Sequence, residues 1–186
     1  MTREFWELNK FDVETRIADE GRPDPRNLLI AKDIDEGPVL QTADVKVTAF
    51  RTPHPPIVDN YAYKFETPDG VIVFSSDTAY NPKLAEFAHG ADVLVHECMY
   101  LPAVDRLVLK TKNGATLKKH LLDSHTTTED VGRIAAAAEV KTLVLSHFVP
   151  GDDPEVTDEN WVEGVKQNYS GRIVVAKDLM ELRLPV

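Results

Sequence analysis

The sequence predicts an α/β protein, a mixed sheet with helices packed on it, and three observations carry that expectation. Short runs of β-branched and aromatic residues recur between Leu28 and Phe74, separated by Pro, Gly and Asp. After Phe74 short apolar runs alternate with helix-patterned segments. The segment Thr128 to Ala138 places Val131, Ile134, Ala135 and Ala138 on one helical stripe, the pattern of a helix covering a sheet.

Taken in order, residues 4 to 18 carry Phe5, Trp6, Leu8, Phe11, Val13 and Ile17, an imperfect helical stripe that fades into the polar stretch Asp19 to Pro25. A short helix and then a loop are expected. Leu28 to Ile30, Val45 to Phe50, Tyr61 to Phe65 and Val71 to Phe74 have strand composition, and Pro68-Asp69-Gly70 supplies turn chemistry that makes 61 to 74 a hairpin. Pro82 to His89 is expected to be a short helix and Val93 to Val95 a buried strand. Ala103 to Leu122 is helix-capable but interrupted by Asn113-Gly114. Thr126 and Glu129 fit a capping box before the helix 128 to 138. Leu143 to Leu145 is a buried strand, Trp161 to Tyr169 a helix, and Ile173 to Val175 a final strand. No repeat or low-complexity tract interrupts the chain, so a single domain over residues 1 to 186 is expected.

With 186 residues and 42% hydrophobic content the chain can bury a real core. No apolar run approaches the roughly 18 to 20 residues that cross a bilayer, and the start lacks a signal-peptide core, so a soluble cytoplasmic protein with no membrane role is expected. The single cysteine, Cys98, rules out an internal disulfide and a Cys-rich zinc motif. Any metal must therefore be held by His and carboxylate. A net charge of −10 repels polyanions, which disfavours nucleic acid as a partner.

Polar groups recur in one context. Asp77 closes the run that begins at Val71, His96 closes Val93-Leu94-Val95, and His147 closes Leu143-Val144-Leu145-Ser146. Strand ends of an open α/β sheet hold side chains rigidly on one rim, so these three are expected to converge. His54 lies in Thr52-Pro53-His54-Pro55-Pro56, where the prolines restrict the backbone and lower the entropy lost when the imidazole is fixed. Imidazole and carboxylate suit zinc, with iron or manganese also open, and the two oxygens of Asp77 can bridge two ions. Each residue also has an ordinary use: a histidine after a strand serves as a hydrogen-bonded surface residue, and Asp77 could cap a helix. His89 and His120 carry no functional expectation.

Glu97 and His125 form a second pair of interest. A glutamate that orients an imidazole makes it a competent proton donor to a leaving group. The plain alternative is capping, because Ser124-His125-Thr126 directly precedes a helix.

At these residues the sequence resembles the metallo-β-lactamase superfamily, and within it the group containing ribonuclease Z and arylsulfatase-like hydrolases. His54 in His-Pro-Pro followed by Asn60-Tyr61-Ala62-Tyr63 resembles the family's third ligand motif. Phe74-Ser75-Ser76-Asp77-Thr78 resembles its Phe-Ser-Gly-Asp-Thr motif, with Ser76 in place of the usual glycine. His96-Glu97-Cys98-Met99-Tyr100 is similar to the His-Glu-Ala-Thr loop, Ser124-His125-Thr126-Thr127 to the His-Ser-Thr loop, and Leu145-Ser146-His147-Phe148 to the final ligand motif. The resemblance implies a two-metal site, usually zinc, that generates a hydroxide for attack on an ester or phosphodiester. His54 would bind one ion, His147 the other and Asp77 both, with His125 assisted by Glu97 as proton donor. It further implies that the chain is the C-terminal half of an αβ/βα sandwich, one mixed sheet with helices on its outer face.

The family's His-x-His-x-Asp-His motif is absent, and Met1 falls where family members are past their midpoint. His54, Asp77 and His147 are then three of about seven ligands. The 77 − 54 = 23 positions between the third ligand and the bridging aspartate hold a hairpin and leave no room for the flexible arm of transfer-RNA-processing members. With the charge of −10, a small ester, sulfate ester or phosphodiester is the expected substrate. A solitary half would leave an apolar sheet face in water, so a homodimer or a separate N-terminal half is expected to cover it. The alternative from a different class is a non-catalytic remnant that binds a partner chain; a third reading is an RNA nuclease.

Overall fold

A computed structural model describes residues 2–28 and 30–184. The chain divides into two compact units, residues 1–34 and 35–186. The first contains α1 (Thr2–Leu8), α2 (Lys10–Glu20) and a 3-10 turn at Pro25–Asn27. The single helix expected over residues 4 to 18 is thus two, broken at Asn9, whose side-chain amide donates to the Phe5 carbonyl and competes with the helical backbone. Leu28 to Ile30 forms no strand in its described part: the Leu28 N–H closes the turn on the Pro25 carbonyl, and Leu29 lies outside the described residues. Pro25, with Asp24 capping the turn, overrides the strand composition of the residues that follow.

The second unit is built on a seven-stranded sheet whose strands lie in chain order. They are β1 (Gly37–Gln41), β2 (Lys46–Arg51), β3 (Tyr61–Thr67), β4 (Gly70–Phe74), β5 (Val93–Met99), β6 (Thr142–Val149) and β7 (Arg172–Val175). The pairs from β1 to β4 are antiparallel, and those from β4 to β7 are parallel. The hairpin was legible from its turn, which opens into Gly70 at φ +148, a conformation that favours glycine. β1 contains Pro38, which is tolerated because β1 is an edge strand. Each parallel step needs a crossover. α3 (Lys83–Phe87) lies between β4 and β5; α4 (Leu101–Leu109), α5 (Gly114–Ser124) and α6 (Thr128–Ala137) lie between β5 and β6; and α7 (Asp158–Lys166) lies between β6 and β7.

One sheet face is covered by helices. Ala62, Val73, Leu94, Leu143 and Leu145 pack with the expected α6 stripe, Val131, Ile134, Ala135 and Ala138, and with Trp161 and Val165 of α7. Partners in register share a face, so the opposite side carries the rows Leu40, Val47, Phe65, Ile72, Val93 and Tyr63, Phe74, Val95, Val144, Val174. Leu40 is 51% exposed and Phe74 40%. At α6 and α7 caps, rather than apolar periodicity, set the helix start. α6 is capped by Thr127, whose hydroxyl accepts the Asp130 N–H, so the expected Thr126 box is displaced by one residue. α7 begins at Asp158 through a Thr157–Asn160 box, ahead of the Trp161 start that its apolar stripe suggested. Among the described residues no helix is long and apolar enough to cross a membrane.

Candidate metal centre

His54 lies on the loop between β2 and β3, where the Ile57 N–H donates to the His54 carbonyl at 2.8 Å and the Ser124 hydroxyl donates to the Pro55 carbonyl at 2.8 Å. Its Nδ1 is 2.9 Å from the carbonyl oxygen of Ser124, at the end of α5. A carbonyl can only accept, so Nδ1 carries the proton and Nε2 keeps a free lone pair. Asn60 fastens this loop to the next: its side-chain amide donates to the Thr52 hydroxyl and to the backbone carbonyl of Asp77, each at 2.7 Å.

Asp77 sits on the turn after β4, behind Ser76, which holds the left-handed conformation at φ 54. The family's usual glycine adopts that conformation without strain, whereas Ser76 is held there by donating its hydroxyl to the Tyr61 carbonyl at 2.7 Å. His147 is displaced in a comparable way. Along β5 and β6, Glu97 pairs with Ser146 and Cys98 with Phe148, which leaves His147 as the extra residue of a bulge, at φ 43. A bulge re-aims its unpaired side chain, and strain of this kind concentrates at functional sites. The result is a His147 Nε2 to Asp77 Oδ2 distance of 3.3 Å.

His125 completes a row. Its ring lies edge-on to His54, with centroids 5.3 Å apart, and nearly parallel to His147, with centroids 5.6 Å apart. Its Nδ1 is 3.4 Å from Glu97 Oε1, although the two are not aligned as a hydrogen bond. Glu97 is buried at 2% exposure, and its Oε1 accepts the N–H groups of Thr126 at 2.9 Å and Thr78 at 3.2 Å. One carboxylate oxygen therefore ties the residue after His125 to the residue after Asp77. Thr126, expected as a helix cap, instead donates its hydroxyl to the Thr78 carbonyl at 2.7 Å within this knot.

The structure thus sets His54, His125, His147 and Asp77 in a contiguous row, with Glu97 behind it. His96 does not join them. β5 continues through Met99, so His96 lies mid-strand rather than at a strand end, on the helix-packed side with Leu94. It is fully buried, and burial pushes its pKa down, so the ring is neutral; its Nδ1 donates to the Glu97 carbonyl at 2.6 Å. Sequence reasoning assigned no role to Asn60 or Ser124. An Asn at a strand start was a visible signal, but Ser124 acts through its backbone carbonyl, which residue type does not disclose.

As donors, an imidazole with its tautomer fixed by a carbonyl, a second imidazole and a carboxylate match zinc-type chemistry in kind. Among the described residues no three His, Cys, Asp or Glu side chains are grouped so that they could hold a metal ion by themselves. The set fits a metal site in donor type and only in part.

The sequence profile of the beta-lactamase superfamily domain matches residues 12–148. Ribonuclease Z of Mycobacterium tuberculosis (strain H37Rv) is 30% identical over 171 residues, covering 90% of this chain and 59% of the relative. A relative from M. tuberculosis strain CDC 1551 is also 30% identical, with 72% of its length covered. The chain thus spans about three fifths of the first of these relatives. Among solved structures, the metallo-beta-lactamase fold protein YhfI of Bacillus subtilis matches with a TM-score of 0.55 at 23% identity, covering 75% of this chain and 49% of that one. The short form of human tRNase Z matches with a TM-score of 0.51 at 19% identity, covering 80% and 46%. The profile spans the stretch from His54 to His147, and the chain belongs to the metallo-β-lactamase superfamily, a family of hydrolases.

Proposed function

We propose that this chain supplies His54, Asp77 and His147 to the dinuclear metal centre of a hydrolase acting on a small ester, sulfate ester or phosphodiester. The observation that carries this reading is the unbroken row from His54 through His125 and His147 to Asp77. The remaining ligands come from an N-terminal half, on this chain's own extension or on a separate chain. Zinc is the metal favoured by the donor set, and when bound it supplies a Lewis acid that brings the pKa of a water to about 7.

The chain's own residues have distinct tasks. Ser124 holds His54 in the ligating tautomer. Asn60 fixes the spacing between the His54 loop and the Asp77 turn. Glu97, 3.4 Å behind Nδ1 of His125, orients a ring whose Nε2 faces the departing oxygen as proton donor.

Metal analysis of the purified chain tests this. Zinc uptake that Asp77→Ala abolishes is the expected result, and metal content unchanged in that variant would refute the ligand role. No uptake at saturating zinc favours the alternative, a non-catalytic half that binds a partner. A ribonuclease Z-like nuclease is the second reading, favoured by the name of the relatives. The net charge of −10 and the short span from His54 to Asp77 weigh against it. RNA binding that weakens steeply with salt would establish it, and no binding at low salt would dispose of it.

A further inference from the structure

A cleft of about 610 Å³ adjoins the centre, between the proline loop 53–58 and the stretch Asn81–Lys83, with His54 in its wall. That volume falls within the range of roughly 300 to 1,000 Å³ typical of small-molecule sites. Its walls are preformed. Phe50 is stacked on Phe87 with centroids 5.0 Å apart, the prolines limit the loop, and the hydrogen bond from Ile57 to the His54 carbonyl closes it. Ile57 and Val58 nevertheless stand 53% and 76% exposed at the mouth.

The polar groups of the cleft are not balanced. Glu36 accepts the Arg51 N–H at 3.0 Å, and the Arg51 guanidinium donates to Asp35 at 2.9 Å and to Asp59 at 2.7 Å, so that cation is already neutralised. The Lys83 ammonium has no ion pair or hydrogen bond among the described residues. Asn81 spends its side-chain oxygen on the Lys83 N–H at 3.2 Å, which leaves its amide hydrogens free. What remains unused at Asn81 and Lys83 is donor, an ammonium and an amide beside an apolar wall, while Glu36 in the same lining engages one carboxylate oxygen with the Arg51 N–H.

We propose that this cleft binds the non-reacting part of the substrate, an apolar body bearing an anionic group that Lys83 contacts. The inference rests on the proposed function in that His54 marks the reacting end, and it deepens that reading by naming an apolar anion as the substrate class. The apolar body covers Ile57 and Val58 beside Pro53 and Pro55, while the anion meets the Lys83 ammonium and the Asn81 amide.

Binding can be read without turnover, using 4-nitrophenyl phosphate and the neutral 4-nitrobenzyl alcohol as probes on the full chain in EDTA, by amide chemical-shift titration. Shifts at Ile57, Val58, Asn81 and Lys83 are expected. Lys83→Gln should weaken the phosphate probe about three- to fivefold, the scale of one exposed charge contact, and leave the neutral probe unchanged. Ile57→Asp should weaken both probes, and circular dichroism checks that each variant stays folded. Shifts confined to another surface, or a phosphate probe indifferent to Lys83→Gln, would overturn the proposal. Zinc uptake is measured in parallel, so that the two readings fail separately. Probe binding without metal uptake supports the cleft and removes the metal reading, whereas metal uptake without probe binding removes the cleft alone.

Discussion

Ser76 and His147 occupy backbone conformations that residues with a Cβ ordinarily avoid, at φ 54 and φ 43, and each stands at the centre or next to it. The left-handed conformation costs a non-glycine residue about 1 kcal/mol or more, and a hydrogen bond returns a similar amount. Ser76→Gly removes both the strain and the bond to the Tyr61 carbonyl, so its stability should stay within about 0.5 kcal/mol of the parent. Ser76→Ala keeps the strain and loses the bond, and should cost about 1 kcal/mol in urea denaturation. Equal losses in the two variants would show that strain is not the governing term. Asn60 acts on the centre without ligating. Asn60→Ala should lower zinc affinity by about tenfold in calorimetric titration, and an unchanged affinity would mean that the Asp77 turn needs no support from the His54 loop. Among the candidates, His54 was legible because prolines flank it, Glu97 and His125 through the motifs of the resemblance, and Asp77 and His147 because a polar residue after an apolar run is visible in one dimension. His96 shared that context and misled for the same reason: the sequence does not show that β5 runs on to Met99. The His147 bulge was equally hidden, since it arises from register between two strands.

Between elements, α6 and α7 approach each other closely. A Cβ on Gly132 would run into the backbone carbonyl of Val165, and one on Gly164 into the side chain of Thr128. Alanine is worth up to about 1 kcal/mol over glycine inside a helix, but a backbone carbonyl cannot step aside as a flexible side chain can. The clash should win, with Gly132→Ala destabilising by about 1 to 3 kcal/mol and lowering the melting temperature by several degrees. A raised melting temperature would mean that the two helices can separate freely. A second tie is Asp92, before β5, whose carboxylate accepts the Val71 N–H of β4 at 2.7 Å and pairs with Lys141 at 2.7 Å, before β6. The Lys141 hydrogen bond, with the Val71 N–H, holds its carboxyl below the usual carboxylate range. A carboxylate depressed in the folded state stabilises above its unfolded pKa, and that contribution disappears as pH falls through the folded value. Asp92→Asn should therefore cost about 1 to 2 kcal/mol at pH 7 and progressively less below about pH 4. A pH-independent difference would assign the effect to packing. The strands and the α6 stripe were readable because their periods of 2 and 3.6 were intact. The break at Asn9, the cap at Thr127 and the loss of strand at Leu28 were not, because each depends on one side-chain or turn hydrogen bond that outweighs local propensity.

At the scale of the molecule, the sheet has two apolar faces and the helices of the second unit pack on one of them. The other presents Leu40 at 51% and Phe74 at 40% exposure, with Tyr63, Phe65, Ile72, Val95 and Val174 half-buried between and beyond them. Stable interfaces bury about 800 Å² on each partner, and these residues, interrupted by the buried Val47, Val93 and Val144, are the apolar surface this face offers. The proposed partners are a second copy of this chain or a separate N-terminal half, and the two give different readings in solution. Alone at micromolar concentration the chain should run by light scattering at twice its 20.8 kDa. The double variant Leu40→Glu, Phe74→Glu should run as a monomer with unchanged circular dichroism, because a charge on that face meets apolar partner surface and no counter-ion. A native chain that is monomeric and binds no hydrophobic dye would mean that this face needs no cover. A dimer that dissociates when an N-terminal half is added would identify the second copy as a stand-in for that half. The same addition should then raise zinc uptake, since the proposal draws the ligands beyond His54, Asp77 and His147 from it.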